Sequence, residues 1–159
     1  MANLSNYDAF IVLISYLRVL NMGYHHAHVN VSGPNYYGDH LLLQRLYEDE
    51  SGIAEIDGIM EKTKANFAEP VSFGRVLMHV QNLYDKYELE QTLDSADPDS
   101  MFTILLKIEK DLQAYLTTMI NSIGENAVFG ADTEGILNLI QDTADKHQTN
   151  IYLIQQRLG

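Results

Sequence analysis

Four residues in the first half of the chain have side chains and spacings that could bind a metal ion. His28 and His40 stand twelve residues apart, one at the end of a helix-like segment and the other at the start of the next. Asp57 and Glu61 follow on that second segment, four residues apart, which places them on one face of a helix. Neutral imidazole and carboxylate groups suit a borderline metal such as iron or zinc. The pattern therefore predicts a metal site.

The elements that would position these residues are helices. Apolar residues recur every three or four positions in several segments, the pattern of a helix that buries one face. No sustained alternation of apolar and polar residues is present, so the predicted fold class is all-α. The apolar stripes consist of Phe10, Leu13, Leu17, Leu20 and Tyr24, then Met101, Leu105, Ile108, Leu112, Tyr115 and Met119, and finally Ile136, Ile140, Ala144, His147, Ile151, Ile154 and Leu158.

Glycine and proline mark the boundaries of the first two predicted helices. The segment Gly33-Pro34-Asn35 divides a helix at about residues 4–31 from a second at about 35–65. Residues 67–97 then connect helices two and three, a connection too long to be a structureless loop. A short helical pattern within it consists of Phe73, Val76, Leu77 and Val80. Four long helices with one long crossover are the connectivity of ferritin-like bundles.

Capping signals define the third and fourth helices. Asp97 is predicted as the N-cap of the third helix and Pro98 as its first residue. Gly124 is predicted to end that helix. Asp132 or Thr133 then caps the fourth.

Composition narrows the function classes. A chain of 159 residues that is 46% apolar suits a single domain, residues 1–159, with a sizeable core. It has no cysteine, which excludes disulfides, thiolate metal sites and cysteine nucleophiles. The net charge of -12 opposes binding to nucleic acid or anionic membranes and favours cations. The N-terminus does not read as a secretory signal, and Phe10–Leu20 is too short to span a bilayer, so a cytoplasmic protein is expected.

The block from His28 to His40, continued by the segment from Glu55 to Lys62, resembles the signature of Dps-type mini-ferritins, the DNA-protection-during-starvation family. In that family the acidic end reads roughly Ile-Asp-x-x-Ala-Glu-Arg, and here it reads Ile-Asp-Gly-Ile-Met-Glu-Lys. The resemblance spans about residues 20–65, and the rest of the chain follows the family in helix order. It implies a ferritin-like four-helix bundle with a short helix in the crossover between helices two and three.

The same resemblance implies a function. Dps-type proteins oxidise Fe(II) with peroxide or oxygen and store Fe(III) inside a hollow cage, a dodecameric homo-oligomer that protects against oxidative stress. Their ferroxidase sites lie at two-fold interfaces and take histidines from one subunit and carboxylates from the other. By this resemblance His28 and His40 would be the histidine half of a catalytic iron site. Asp57 and Glu61 would be the carboxylate half.

Two departures from the family pattern affect the expected ligands. Gln44 stands four residues after His40, where the family usually has an aspartate, and an amide oxygen is a weaker and uncharged ligand. The segment between Tyr47 and the Ile-Asp pair is also two residues longer than usual, and two residues rotate a regular helix by ~200°. This rotation would turn the carboxylates away. Either the helix contains a bulge near Ser51-Gly52, or the match to the motif is misleading.

Glu55 is a rival to the two carboxylates of the motif. It lies eleven residues after Gln44, nearly three full turns, on the same face of a regular helix. No carboxylate follows it four residues later, as the motif would require. Glu48 could also supply a replacement oxygen. We predict Asp57 and Glu61 as the ligands, with Glu55 and Gln44 as further metal-binding candidates.

Other functions stay open at this point. The first alternative is a Dps-like cage or bundle with a degenerate ferroxidase site, acting as a structural or weak metal-binding protein, which Gln44 and the two extra residues favour. DNA binding is not expected, because the first seventeen residues contain no lysine or arginine. An iron site within one bundle is disfavoured, because no histidine has a glutamate three residues before it. His147 is expected in the core, hydrogen-bonded, and His25 and His26 at a surface or interface.

Overall fold

A computed structural model describes residues 5–48, 52–126 and 128–159, and in these ranges the chain is helical, with no strand. The all-α class is therefore confirmed. None of the helices in the described ranges is long and apolar enough to cross a membrane. The elements are α1 (Asn6–Asn30), α2 (Tyr36–Glu48), α3 (Ile53–Phe67), α4 (Phe73–Lys86), α5 (Leu89–Asp94), α6 (Pro98–Asn126), a 3-10 turn (Gly130–Asp132) and α7 (Thr133–Leu158).

Helix α1 lies at the centre of the packing. It contacts α2, α3, α4, α5 and α6, and α6 in turn packs against α7. Its burial is broader than one stripe, because Ile11 and Ile14 are fully buried beside Leu13 and Leu17. A helix that is apolar on most of its sides belongs in the interior, since each side must lose contact with water. The core is thus built around α1.

The corner between α1 and α2 is a tight turn. Gly33 has φ +110°, a conformation that residues with a Cβ rarely adopt, and its carbonyl accepts a hydrogen bond from the Tyr36 amide at 3.1 Å. Pro34 lies in this turn, two residues before α2 begins. The chain reverses within a few residues. The last turn of α1, which holds His28, therefore faces the first turns of α2, which hold His40.

An ion-pair network anchors the start of α2 to the far end of the chain. Arg157, near the end of α7, donates from Nη2 to Asp39 Oδ2 at 3.0 Å and from Nη1 to Asp99 Oδ1 at 3.0 Å. Asp39 is only 2% exposed, so water screens this pair poorly and the contact restrains α2. The network ties three helices together next to the α1–α2 corner.

The predicted second helix, residues 35–65, is two helices. Helix α2 ends at Glu48, and α3 begins at Ile53 with Gly52 as its N-cap residue. Ser51, where a bulge was one of the two predicted possibilities, lies outside the described residues. A break resets the helical phase, so the ~200° rotation expected for two extra residues in a regular helix does not apply.

The crossover also differs from the prediction, because it contains two helices rather than one short one. Helix α4 packs against α1 through the buried side chains of Val76 and Val80. Helix α5 follows after Glu88, which has φ +52°. Its side chains Leu89 and Leu93 are fully buried, and α5 packs against α1 and α6. The additional turn of helix is there because these leucines reach the core.

Helix α6 begins where its capping signal predicts but ends later than predicted. Pro98 is the first residue of α6, and Asp97 Oδ2 accepts from the Ser100 amide at 3.2 Å, which confirms the predicted start. The predicted end at Gly124 is wrong, since α6 continues through it to Asn126. A helical glycine costs only about 1 kcal/mol, which the buried Ile123 offsets through packing.

Candidate metal centre

The α1–α2 corner pairs His28 and His40 by two reciprocal hydrogen bonds. His28 Nδ1 lies 3.0 Å from the His40 carbonyl oxygen, and His40 Nδ1 lies 3.1 Å from the His28 carbonyl oxygen. The two rings are stacked, with centroids 3.7 Å apart and planes 27° apart. Each half-buried side chain is therefore held in one orientation by the main chain of the other.

These contacts define the tautomer of both rings. A carbonyl oxygen can only accept, so each Nδ1 must carry the hydrogen and donate it. In the neutral imidazole the lone pair then lies on Nε2, which is the atom available to a metal. A histidine that ligates a metal commonly donates its other ring N–H to a backbone carbonyl in this way. The main chain thus holds the Nδ1 atoms of both His28 and His40.

Aromatic rings surround this histidine pair. The Tyr47 ring contacts His28 edge-on at 5.1 Å between centroids, and it also lies 4.7 Å from the His25 ring. On the other side the Tyr36 ring lies 5.0 Å from His40. Bulky neighbours restrict the rotation of both imidazoles, and this favours ligands with fixed positions.

Asp57 and Glu61 lie on the outer, exposed face of α3, one turn apart. Glu55 points the other way and is only 7% exposed. The break between α2 and α3 therefore presents the two motif carboxylates to the exterior and directs Glu55 into the core. A candidate metal-binding group has at least three His, Asp or Glu side chains with ligand atoms within 4.8 Å of one another. Among the described residues, Asp57, Glu61 and Glu55 belong to no such group. The chain alone does not bring the predicted histidines and carboxylates together.

Gln44 lies one turn after His40 on α2 and is half-buried. Its Nε2 donates to Glu48 Oε2 at 2.9 Å. That hydrogen bond leaves the amide oxygen Oε1 as the atom of Gln44 that could face a metal. Glu48 thus orients the amide at the position where a carboxylate was expected.

A second histidine–carboxylate cluster lies in the core. His147 on α7 contacts Glu109 Oε2 on α6 through Nδ1 at 2.7 Å and Glu55 Oε2 on α3 through Nε2 at 3.1 Å. Asn150 donates to Glu109 Oε1 at 3.1 Å, and the Tyr24 hydroxyl of α1 donates to the same oxygen. His147 is thereby confirmed as a hydrogen-bonded core residue. We refer to these five residues as the core cluster.

The core cluster contains its own cation. Burial by itself would lower the pKa of His147, but the charges and hydrogen bonds of Glu109 and Glu55 outweigh burial and raise the pKa to about 10. At neutral pH the ring is an imidazolium whose two N–H groups donate to the two carboxylates. Because the ring lies between them, both of its nitrogens are occupied and neither is a lone-pair donor. The imidazolium thus lies between two buried carboxylates.

Sequence reasoning named Glu55 only as a metal-binding candidate and did not identify Glu109. Glu109 follows Leu105 by four residues and precedes Leu112 by three, so it occupies the buried face of α6. A charged residue within one apolar stripe and a histidine within another are the signal that could have indicated a buried pair. Which of them meet depends on helix packing.

Comparison with known proteins found no match. No family model, no curated protein and no solved structure matches the chain. The function therefore has to be argued from the residues and their geometry.

Proposed function

We propose that this protein is a Dps-like mini-ferritin that binds iron, oxidises Fe(II) with peroxide or oxygen, and stores Fe(III) in a hollow cage. The observation that carries the proposal is the His28–His40 pair, whose Nδ1 atoms are both occupied by main-chain carbonyls at 3.0 and 3.1 Å. Two imidazoles held through Nδ1 could offer Nε2 as a half-site for a borderline metal. They need carboxylates from elsewhere to complete the coordination.

The packing supports a ferritin-like bundle as the scaffold. Helix α1 packs on α2 and α3, α6 packs on α7, and α4 with α5 forms one long crossover between the two halves. One long crossover is the connectivity of ferritin-like folds. In this bundle α2 and α3 together take the place of the second long helix, with Gly52 as a non-helical residue between them.

The carboxylates would come from a second copy of the chain. Asp57 and Glu61 are exposed on the outer face of α3, where a partner could reach them. In a two-fold dimer each interface would hold two equivalent sites, each combining His28 and His40 of one chain with Asp57 and Glu61 of the partner subunit. Two Fe(II) ions held close together would reduce one peroxide to two waters, with two protons consumed and two Fe(III) formed. Delivery of both electrons avoids release of hydroxyl radical.

Exposed apolar residues on the crossover support assembly. Phe73, Leu77 and Met78 on α4 are 60%, 67% and 53% exposed. Three large apolar side chains exposed on one short helix favour a protein–protein contact. We propose a homo-oligomer, a dodecameric shell, in which such surfaces are covered.

The experiment compares Fe(II) oxidation by peroxide in the parent and in His28→Ala/His40→Ala. We expect the double variant to lose metal binding and to oxidise Fe(II) on the order of tenfold more slowly or worse, since ligand shells change affinity by such factors. His25→Ala is the matched control, because this exposed histidine of the same corner should not matter. Equal oxidation rates in parent and double variant would overturn the site.

A second arm tests the carboxylates, and light scattering on the same samples tests the assembly. Asp57→Asn/Glu61→Gln should slow oxidation, whereas Glu55→Gln should leave the metal affinity in place and affect folding instead. Activity that depends on Glu55 alone would contradict the assignment of the motif. A stable monomer or simple dimer in light scattering would rule out storage in a cage.

The second candidate function is a Dps-like assembly that binds metal weakly without oxidising it. Gln44 favours it, because an amide held by Glu48 at 2.9 Å replaces the carboxylate expected there. Metal binding that requires His28 and His40 without measurable Fe(II) oxidation would favour this candidate over the first.

A further inference from the structure

A separate group of metal-ligand side chains lies where α1 meets α5. His26 is half-buried on α1, and Glu90 and Asp94 are exposed one turn apart on α5. One ligand atom from each of the three lies within 4.8 Å of the others. His26 Nε2 and Asp94 Oδ1 are already 2.7 Å apart. We call these three residues the α5 site.

The α5 site is on a different side of α1 from the histidine pair. His26 and His28 are two residues apart, and two residues rotate a helix by ~200°. His28 accordingly faces α2, and His26 faces α4 and α5. The two sites therefore share no ligand and can be changed independently.

Neighbouring side chains orient the ligands of the α5 site. The Tyr84 ring of α4 lies parallel to the His26 ring, with planes 7° apart, and its hydroxyl is 3.5 Å from His26 Nδ1. Asn30 Nδ2 lies 3.4 Å from Asp94 Oδ1, the oxygen that also contacts His26. The two carboxylates project from successive turns of α5 to the same face. The imidazole has its Nε2 directed at Asp94.

The surrounding charge is negative. Asp85 and Glu88 lie on the adjoining surface with Glu90, around Tyr84. Burial, together with the charges of Glu90 and Asp94, raises the pKa of Tyr84 to about 12. The nearby ammonium of Lys86 is placed over the Tyr87 ring. A cation entering this site would thus meet carboxylates.

We propose that His26, Glu90 and Asp94 bind a divalent cation of the zinc class. Zinc–nitrogen and zinc–oxygen bonds of about 2.0–2.2 Å at a tetrahedral angle place the two ligand atoms about 3.3 Å apart. The present separation of 2.7 Å between His26 Nε2 and Asp94 Oδ1 would have to widen only slightly, by rotation of the exposed Asp94 side chain. An imidazole ligand favours zinc over magnesium or calcium.

Three protein ligands leave the fourth position to water. The site is therefore an open, exchangeable one and differs from the closed sites that hold a structural zinc. It binds the cation independently of iron oxidation, since His28 and His40 take no part.

The test uses the full chain carrying His28→Ala/His40→Ala, so that the histidine pair contributes no binding. Zn²⁺ is titrated by calorimetry, and X-ray absorption determines its ligands. We expect stoichiometric binding with one imidazole and oxygen ligands. Adding Glu90→Gln/Asp94→Asn should weaken binding on the order of 100-fold, because two ligands are lost.

The matched control is Asp85→Asn/Glu88→Gln in the same background, which removes the same charge from the adjoining exposed surface. It should change Zn²⁺ affinity only a few-fold. Equal weakening by the two pairs of substitutions would overturn the proposal and leave the His26–Asp94 contact as an ion pair in an acidic surface. Absence of imidazole from the absorption spectrum would overturn it as well. Thermal unfolding of each variant checks that the fold is kept.

Discussion

The core cluster and the α1–α2 corner both contain histidines, but these histidines have different hydrogen-bond partners. In the core, both ring nitrogens of His147 contact carboxylate oxygens, at 2.7 and 3.1 Å. At the corner, each histidine contacts only a main-chain carbonyl, through Nδ1. Two carboxylates accept from both ring nitrogens of His147, whereas at the corner one carbonyl accepts from Nδ1 of each histidine. The two regions therefore differ in the partners of their histidine nitrogens.

Burial reinforces this difference. His147 is 2% exposed and Glu109 is fully buried, so neither charge can be stabilised by water. Buried charges persist only when they are paired and hydrogen-bonded. The histidines at the corner are half-buried, and water can reach part of each side chain. The core cluster should therefore control stability and the corner should control metal binding.

The largest effect is expected from His147→Ala. Removing the imidazolium leaves Glu55 and Glu109 buried without their cation, a change that typically costs about 3–5 kcal/mol. His28→Ala/His40→Ala, at the half-exposed corner, should cost about 1 kcal/mol or less per site. Urea unfolding measures both. If His147→Ala lowers the free energy of unfolding less than His28→Ala/His40→Ala does, the core cluster is not the more stabilising of the two regions.

A pH-dependent effect of intermediate size should follow from the same cluster. The pKa of His147 is about 10 in the fold against 6.5 for an ordinary histidine, because Glu109 and Glu55 outweigh burial. A folded-state pKa above the unfolded value contributes stability that is fully present below pH 6.5 and lost as pH rises through about 10. The free energy of unfolding should fall across that window.

His147→Ala is the control for the pH dependence, since it should lack this part of the decline. Measuring the free energy of unfolding by urea at several pH values between 6.5 and 10 gives both curves. Parallel curves for parent and variant would show that another group is responsible.

The smallest effect should come from Gln44→Asp, which sharpens the corner's role as a metal site. A carboxylate one turn after His40 would add a charged oxygen ligand where the amide now stands. We expect tighter iron binding or faster oxidation, by about tenfold or less, with little change in the free energy of unfolding. An unchanged or slower rate would contradict our account of Gln44. Glu48→Gln, which keeps an acceptor for Gln44, is the comparison variant.

The local sequence pattern was enough to predict the helical class and several details of the fold. The three- and four-residue recurrence of apolar side chains indicated which faces are buried, because a helix with an apolar stripe has to bury it. Asp97 and Pro98 specified the start of α6 through capping chemistry that involves only neighbouring residues. His147 was placed in the core by its position in a stripe. His28 and His40 were singled out by residue type and spacing.

Tertiary packing decided what the pattern left open. A continuous helix over 35–65 fits the periodicity, but Gly52 is not helical and α3 begins after it. Glu55 then turns inward, and Asp57 and Glu61 stay outside. Leu89 and Leu93 add a helix to the crossover because they reach the core.

The two clusters were also beyond local reasoning. Glu109 meets His147 across 38 residues, and Asp94 meets His26 across 68. Periodicity tells which face of a helix is buried, but the partner on that face depends on how distant helices align. The sequence by itself determined the helical class, the start of α6 and the residue types that could ligate a metal. The tertiary structure alone decided which histidine lies between two carboxylates and which two meet main-chain carbonyls.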